Sequence, residues 1–287
     1  MKYAFIRVHQ RRFTVSAMCR VLQVSRSGYY DWRDRPECRR RREDRSLLID
    51  IGRIHAGSRR NYGARKTWVA LNGEGIACGR DRVARLRREN RIEAQRKTRF
   101  RTITEHHKTA PPAPDRLQRC FMAVAPDQVW VGDITFIRTR EGWLFLAVLV
   151  DLFSRRVVGW AMGSRATEAL ASDALKMALQ QRRPPPGLVH HTDRGTQYAA
   201  TEYRGRLISA GLLPSMNEGK DPRDNAVAES FFSNLKNELI HHCDFVTRND
   251  ARVAIFDYVE LFYNRKRIHQ SLDDKTPEQF EREWADS

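Results

Sequence analysis

The stretch QVWVGDITFIR (128–138), with the turn pair Glu141-Gly142 and then WLFLAVLVD (143–151), decides the fold. Both runs are rich in β-branched and aromatic residues, and a glycine turn between them predicts a hairpin. RRVVGWAM (155–162) reads as a third strand, closed off by Ser154 and Gly163. The period then changes. Leu170, Ala174, Leu175, Ala178 and Leu179 recur at helical spacing over 167–181, and Pro184-Pro185-Pro186 ends that helix. A short strand at 188–191, a helix near 201–210, a strand at 212–216 and a long helix over about 222–240 complete the series. Asp133 lies in the middle of the first strand among Trp130, Val131, Ile134 and Phe136. A carboxylate in so apolar a strand is costly unless it is paired or binds a metal.

Three antiparallel strands followed by alternating helices and strands predict an α/β RNase H-like core, a mixed sheet flanked by helices. Asp193 follows the short strand in HHTDRGTQY, and Glu229 lies on the last helix in DNAVAESFFSNLK, with Asn225 one turn before it and Lys236 two turns after. Two or three carboxylates around one pocket suit a pair of Mg2+ ions, which hold the attacking and leaving oxygens of a phosphoryl transfer.

Upstream of this core the chain is different in charge. Of 52 Lys+Arg and 35 Asp+Glu in 287 residues, residues 1–110 hold 29 and 11, a net of +18, while residues 111–287 hold 23 and 24. Such segregation points to a polyanion bound by the first part. TVSAMCRVLQVSRSGYYDW (14–32) reads as a helix-turn-helix, with Thr14 and Ser25 as caps and Arg26, Ser27 and Tyr29 presented to base edges. Arg40, in the run Arg39–Arg42, is expected on phosphates. A second helical DNA-binding module follows, with Arg59, Arg60 and Arg80 as its contacts.

The expected domains are residues 1–45 (helix-turn-helix segment), 46–97 (second helical module), 98–126 (extended linker around Pro111, Pro112, Pro114 and Pro126), 127–245 (catalytic core) and 246–287 (helical extension of the core). No run of about 18 apolar residues exists and the N-terminus has no secretory pattern, so a cytoplasmic, nucleoid-associated protein is expected. Five cysteines without a C-x-x-C pair argue against a disulfide framework or Cys-type zinc site. The histidine pairs 106-107, 190-191 and 241-242 are read as structural or exposed, with His191 a possible flank of the metal pocket. Tyr263, Asn264, Arg265, Arg267 and His269 form a polar cluster that either touches substrate phosphates or is a solvated helix end.

WVGDITFI (130–137), HTDRGTQY (191–198), DNAVAESFFSNLKNE (224–238) and YNRKRIHQSLDDKTPEQF (263–280) closely resemble the DDE transposases of bacterial insertion sequences. The resemblance is greatest to the downstream reading-frame product of the insertion sequence three family, whose core is similar to that of retroviral integrases. The 35 residues between Asp193 and Glu229 match the spacing of that class, and Lys236 stands where it carries a basic residue. CRVLQVSRSGYYDW (19–32) and SRRNYGARKTWVAL (58–71) resemble the family's DNA-binding segments. Departures are small: Thr192 stands where the family usually has Ser, and Lys220-Asp221-Pro222-Arg223 is not the commonest sequence before the Asp-Asn-Ala.

The resemblance implies a transposase that binds insertion-sequence ends (terminal inverted repeats) and carries out metal-dependent strand cleavage and strand transfer into target DNA. Asp133, Asp193 and Glu229 would be its catalytic metal ligands, with two Mg2+ ions, or Mn2+ in their place. Asn225 and Lys236 would contact DNA. It further implies a homodimer or larger assembly on DNA and an upstream reading-frame product as fusion or partner. The alternatives are a hydrolytic nuclease of the same fold, which cuts without joining, and a non-catalytic helix-turn-helix regulator, which leaves the spaced carboxylates unexplained.

Overall fold

A computed structural model describes residues 1–35, 38–95, 113–118, 122–217 and 225–287. Its chain forms two compact units, Met1–Arg53 and Ile54–Ser287. Most of the expected linker lies outside the described residues.

The first unit begins with α1 (Lys2–His9), which the apolar pattern had not suggested, followed by α2 (Val15–Val21) and α3 (Arg26–Asp34). Thr14 accepts from Ala17 N to start α2, and Ser25 accepts from Gly28 N to start α3, so both expected caps form. Ile6, Met18, Cys19 and Tyr29 make the small core, with Tyr3, Leu22, Val24 and Trp32 packed around it. Gly28 belongs there because Tyr3 lies against it: an added Cβ would stand 2.5 Å from the phenol oxygen. α4 (Arg39–Gly57) is one helix of 19 residues, and the expected boundary at 45/46 falls inside it.

In the second unit α5 (Ala64–Gly73) and α6 (Arg80–Glu89) pack together through Leu71, Val83 and Leu86. Arg87, buried between them, donates to Thr67 Oγ1 at 3.0 Å and to Tyr62 O at 2.9 Å. The sheet has β1 (Val129–Thr139), β2 (Gly142–Asp151), β3 (Val157–Gly163), β4 (Val189–Thr192) and β5 (Leu213–Met216), in the order β3-β2-β1-β4-β5. β1, β2 and β3 pair antiparallel; β4 pairs parallel with β1 and with β5. This is the mixed sheet expected from the sequence. α7 (Glu168–Arg182) lies on it, and Trp130, Leu149, Ala174, Leu175, Tyr203 and Leu207 fill the space between. Two short helices, α8 (Thr196–Ala199) and α9 (Thr201–Ser209), link β4 to β5, and α10 (Ala226–Glu238) packs on β1 and β2. Of the linker, Arg116 N donates to Ser215 Oγ at 2.9 Å and Ala113 is buried in the core, so residues 113–118 lie against β5.

The C-terminal part runs through α11 (Arg248–Phe256), a π-helical turn Asp257–Tyr263 and α12 (Pro277–Ala285). Among the described residues no helix is long and apolar enough to cross a membrane.

Candidate active site

Parallel pairing of β1 with β4 sets Val131 opposite His191 and Gly132 opposite Thr192. Asp133 is the next residue on β1 and Asp193 the first residue past the end of β4, so they emerge side by side. Gly132 is required by the closeness of that pairing, because a Cβ there would meet His190 Cε1 at 2.8 Å. Asp133 accepts from Ile134 N at 2.7 Å and Asp193 from Gly195 N at 2.9 Å, which fixes one oxygen of each carboxylate.

α10 brings the third acid. Glu229 sits exposed in its first turn, and Lys236, two turns on, is half-buried. The Asp133 carboxyl is held well above the usual carboxylate range, first by burial and then by repulsion from Asp193, with a smaller push from Glu229. Asp133 as a residue keeps part of its surface open, but its carboxyl is the enclosed portion. Burial lowers Lys236, while Asp133 opposes that change, so the ammonium and the carboxylate sense each other. The Lys236 Nζ also stands 5.4 Å from the centre of the Phe136 ring.

The structure therefore brings Asp133, Asp193, Glu229 and Lys236 into one electrostatic neighbourhood. Among the described residues no group of three or more His, Cys, Asp or Glu side chains closes tightly enough to hold a metal ion by itself. Asp193 pushes on the Asp133 carboxyl more strongly than Glu229 does. Hard carboxylate oxygens that repel in a water-poor setting form a donor set that a divalent cation suits, since the cation removes the repulsion.

Tyr198, which had no assigned role, lies beside the pair, and His190, read as structural or exposed, packs against the Tyr198 ring. Tyr198 is buried, and burial, Tyr203, Asp133 and Asp193 all push its phenol up, so it stays protonated beside the carboxylates. His190, at 2.7 Å from the Tyr203 hydroxyl, is pushed down to about 3 by burial and remains neutral. The signal for Tyr198 was present in HTDRGTQY, five residues after Asp193.

Several expected contacts are placed differently. Asn225 is buried and its Nδ2 donates to Gly132 O at 3.0 Å, so it ties the start of α10 to β1 and does not reach DNA. Tyr29 is fully buried, its hydroxyl bonded to Gln10 Oε1 at 3.2 Å, and cannot touch bases; the face of α3 that carries it packs on α1 and α2. His191 turns away from the carboxylates, with Nδ1 2.9 Å from Ser215 Oγ. Four of the five residues in the 263–269 cluster are internal: Tyr263 and His269 are buried, Asn264 both accepts from Val157 N and donates to Val157 O at 3.0 Å, and Arg267 pairs with Glu238 at 2.8 Å. That placement removes Tyr263, Asn264, Arg267 and His269 from the expected phosphate contacts, whereas Arg265 stays exposed.

Arg26 and Ser27 stand exposed on the first turn of α3, and Arg40 stands exposed at the start of α4. In the second unit Arg60 and Arg80 are exposed, whereas the Arg59 guanidinium lies over Tyr258 and Phe262 at 5.7 and 5.6 Å.

Family models match most of the chain: an "HTH-like domain" over residues 41–100 and an "Integrase core domain" over 123–222, continued by a second integrase core model over 229–283. The helix-turn-helix match covers the second helical module and not α1–α3. Among curated proteins, the chain is 41% identical over 287 residues to transposase InsF of insertion sequence IS3A from Escherichia coli K12, covering 98% of each chain. It is 43% identical to a 31 kDa protein of insertion element IS600 from Shigella sonnei, over 93% of this chain and 98% of that one. Among solved structures, the HTLV-2 integrase catalytic core aligns with TM-score 0.42 and 21% identity, over 55% of this chain and 98% of that one. A simian T-cell lymphotropic virus intasome chain aligns with TM-score 0.48 and 19% identity, over 80% and 74%.

Proposed function

Because the chain belongs to the IS3 family of transposases, we propose that Asp133, Asp193 and Glu229 bind the divalent metal at which it cuts and joins DNA. The chain is a transposase, a DNA-binding enzyme of the polynucleotidyl transferase class. One observation carries the site assignment: parallel β1–β4 pairing delivers Asp193 beside Asp133, where burial and repulsion from Asp193 raise the Asp133 carboxyl and Glu229 adds to the push.

In this reading the three carboxylates hold two Mg2+ ions, with Mn2+ able to replace them. Bound there, such ions supply Lewis-acid activation of the attacking oxygen and stabilise the leaving 3′-oxygen. Asp133 and Asp193 each have one oxygen fixed by a backbone amide, which orients the two carboxylates toward a shared cation. Glu229, on the first turn of α10, supplies the third carboxylate from the helix. Lys236 holds a phosphate oxygen of the scissile strand. Neutral Tyr198 and His190 close the floor and keep water out without competing for the proton.

Terminal inverted repeats are read by residues 1–45 and 46–97, through Arg26 and Ser27 at bases and Arg40, Arg60 and Arg80 at phosphates. The core is residues 127–245, with 246–287 as its helical extension. Two ends cut and joined together require a homodimer or larger assembly, with an upstream reading-frame product as fusion or partner, acting on the DNA of the bacterial nucleoid.

The test is one incubation of full-length protein, Mg2+ or Mn2+, and labelled end DNA. Wild type is expected to give cut and joined products. Asp133→Asn, Asp193→Asn and Glu229→Gln should each lower cleavage by roughly a thousandfold or more while end binding persists. Cleavage retained in any one variant removes that residue from the site. Cutting without joining would favour a hydrolytic nuclease.

A further inference from the structure

The tip of the β1–β2 hairpin carries two large aromatic side chains that the core does not use. Phe136 is 45% exposed and Trp143 is 48% exposed, and their rings meet edge to face at 5.1 Å. Burying these surfaces would be favourable, yet nothing in the described chain covers them. Their surroundings are cationic. Lys236 Nζ stands over the Phe136 ring, Arg138 is exposed on the same strand, and Arg248 Nε donates to Trp143 O at 3.0 Å. Phe136 also lies three residues along β1 from Asp133, a span of about 10 Å.

We propose that Phe136 and Trp143 form a base-stacking platform for an unpaired nucleotide of the DNA strand whose backbone lies at the carboxylates. The proposal rests on the reading of Asp133, Asp193 and Glu229 as the cutting site. An apolar protein partner would favour a neutral rim, whereas this rim is charged: Lys236, Arg138 and Arg248 stand around the rings, with Glu141 at the turn bonded to the Arg248 amide and Asp244 paired with Arg140. A base offers a π-face to the exposed ring while its phosphate meets Lys236, so one nucleotide satisfies both features. Stacking of this kind is tolerant of sequence, because every base presents such a face. It would splay the strand from its partner and hold the bond to be cut beside Asp133.

The test compares two probes on the full-length protein at one fixed salt concentration, with metal withheld so that the strands stay intact. One is a short duplex with a single-stranded thymidine tail; the other has the same tail made of abasic residues. Wild type is expected to bind the thymidine tail about tenfold more tightly, the size of one base stack. Trp143→Ala and the Phe136→Ala, Trp143→Ala double variant should lose that preference, with circular dichroism unchanged. Trp143→Phe should keep most of it, and Arg138→Ala should weaken both probes alike. Equal binding of the two tails by wild type, or a preference retained in the double variant, overturns the platform. Absence of cleavage by wild type with Mg2+ would instead overturn the catalytic reading, and the tail preference would still stand.

Discussion

At the scale of the residue, Arg26 and Tyr29 are three positions apart on α3 and do opposite work. Arg26 is exposed and has its guanidinium 5.7 Å from the Tyr30 ring, while Tyr29 is fully buried with Ile6, Met18 and Cys19. Arg26→Ala is therefore expected to lower preference for end DNA over scrambled DNA, by up to about 1–3 kcal/mol if the contact is bidentate to guanine, with the melting temperature unchanged. Tyr29→Ala should destabilise the first unit by about 3–5 kcal/mol, the cost of emptying a buried aromatic site. Competition binding at fixed salt and thermal melting separate the two effects. An Arg26→Ala variant with an unchanged affinity ratio would show that this helix does not read sequence. The sequence could not choose between adjacent Tyr29 and Tyr30, because the partner that selects the buried one is α1, whose apolar spacing is weak. Asn225 was misread for a similar reason. Its partner, the carbonyl of Gly132, lies 93 positions away.

At the scale of the element, β1 and β2 were legible because apolar and β-branched residues fill both runs and Gly142 turns between them. Asp133 and Asp193 were legible as residues whose surroundings punish an unpaired charge. What the sequence hid was the work of the C-terminal segment, whose polar residues look ready for a ligand but bond to β3 and to Glu238. The same holds where α12 meets the end of β2. Asp151 is fully buried and accepts from Asp127 N, Ser154 N and Ser154 Oγ, and Ser154 also donates to Glu281, which Arg156 and Arg182 hold. Burial pushes Asp151 up to about 6, against those three hydrogen bonds and with a further push from Glu281. A folded-state value above the unfolded one means that the native protein holds the proton more tightly. Stability from this group is therefore lost as pH rises from about 4 to about 6 and is level above that. The shift corresponds to about 3 kcal/mol at most. Asp151→Asn removes the dependence, so the stability of wild type minus variant should fall across that window and then flatten. Denaturant melts at a series of pH values check this, and a flat difference would mean that Asp151 ionises freely in the fold.

At the scale of the whole molecule, charge divides the labour. Residues 1–53 carry 14 Lys+Arg against 6 Asp+Glu and residues 54–110 carry 15 against 5, whereas 111–287 are near neutral. Each phosphate neutralised adds about −0.9 to the slope of log affinity against log salt, so the slope reports which part of the chain touches DNA. The second unit also has reason to include residues 54–95. The Tyr62 hydroxyl donates to Lys266 O and accepts from Ile268 N, both at 2.8 Å, and Arg65 pairs with Asp274 at 2.6 Å. A chain of residues 54–287 should therefore melt close to the full-length core transition. A chain of residues 120–287 should melt several degrees lower, because it leaves the Ile268 amide without its acceptor and uncovers the rings of Tyr258 and Phe262. In DNA binding, 54–287 should keep part of the salt slope and lose preference for the terminal repeat, and 120–287 should have almost no slope. Salt-dependent titrations of the three proteins with end and scrambled duplexes decide between the two modules. End preference surviving in 54–287 would move sequence reading from α3 to the module with Arg60 and Arg80, which is the part matched by the helix-turn-helix family model.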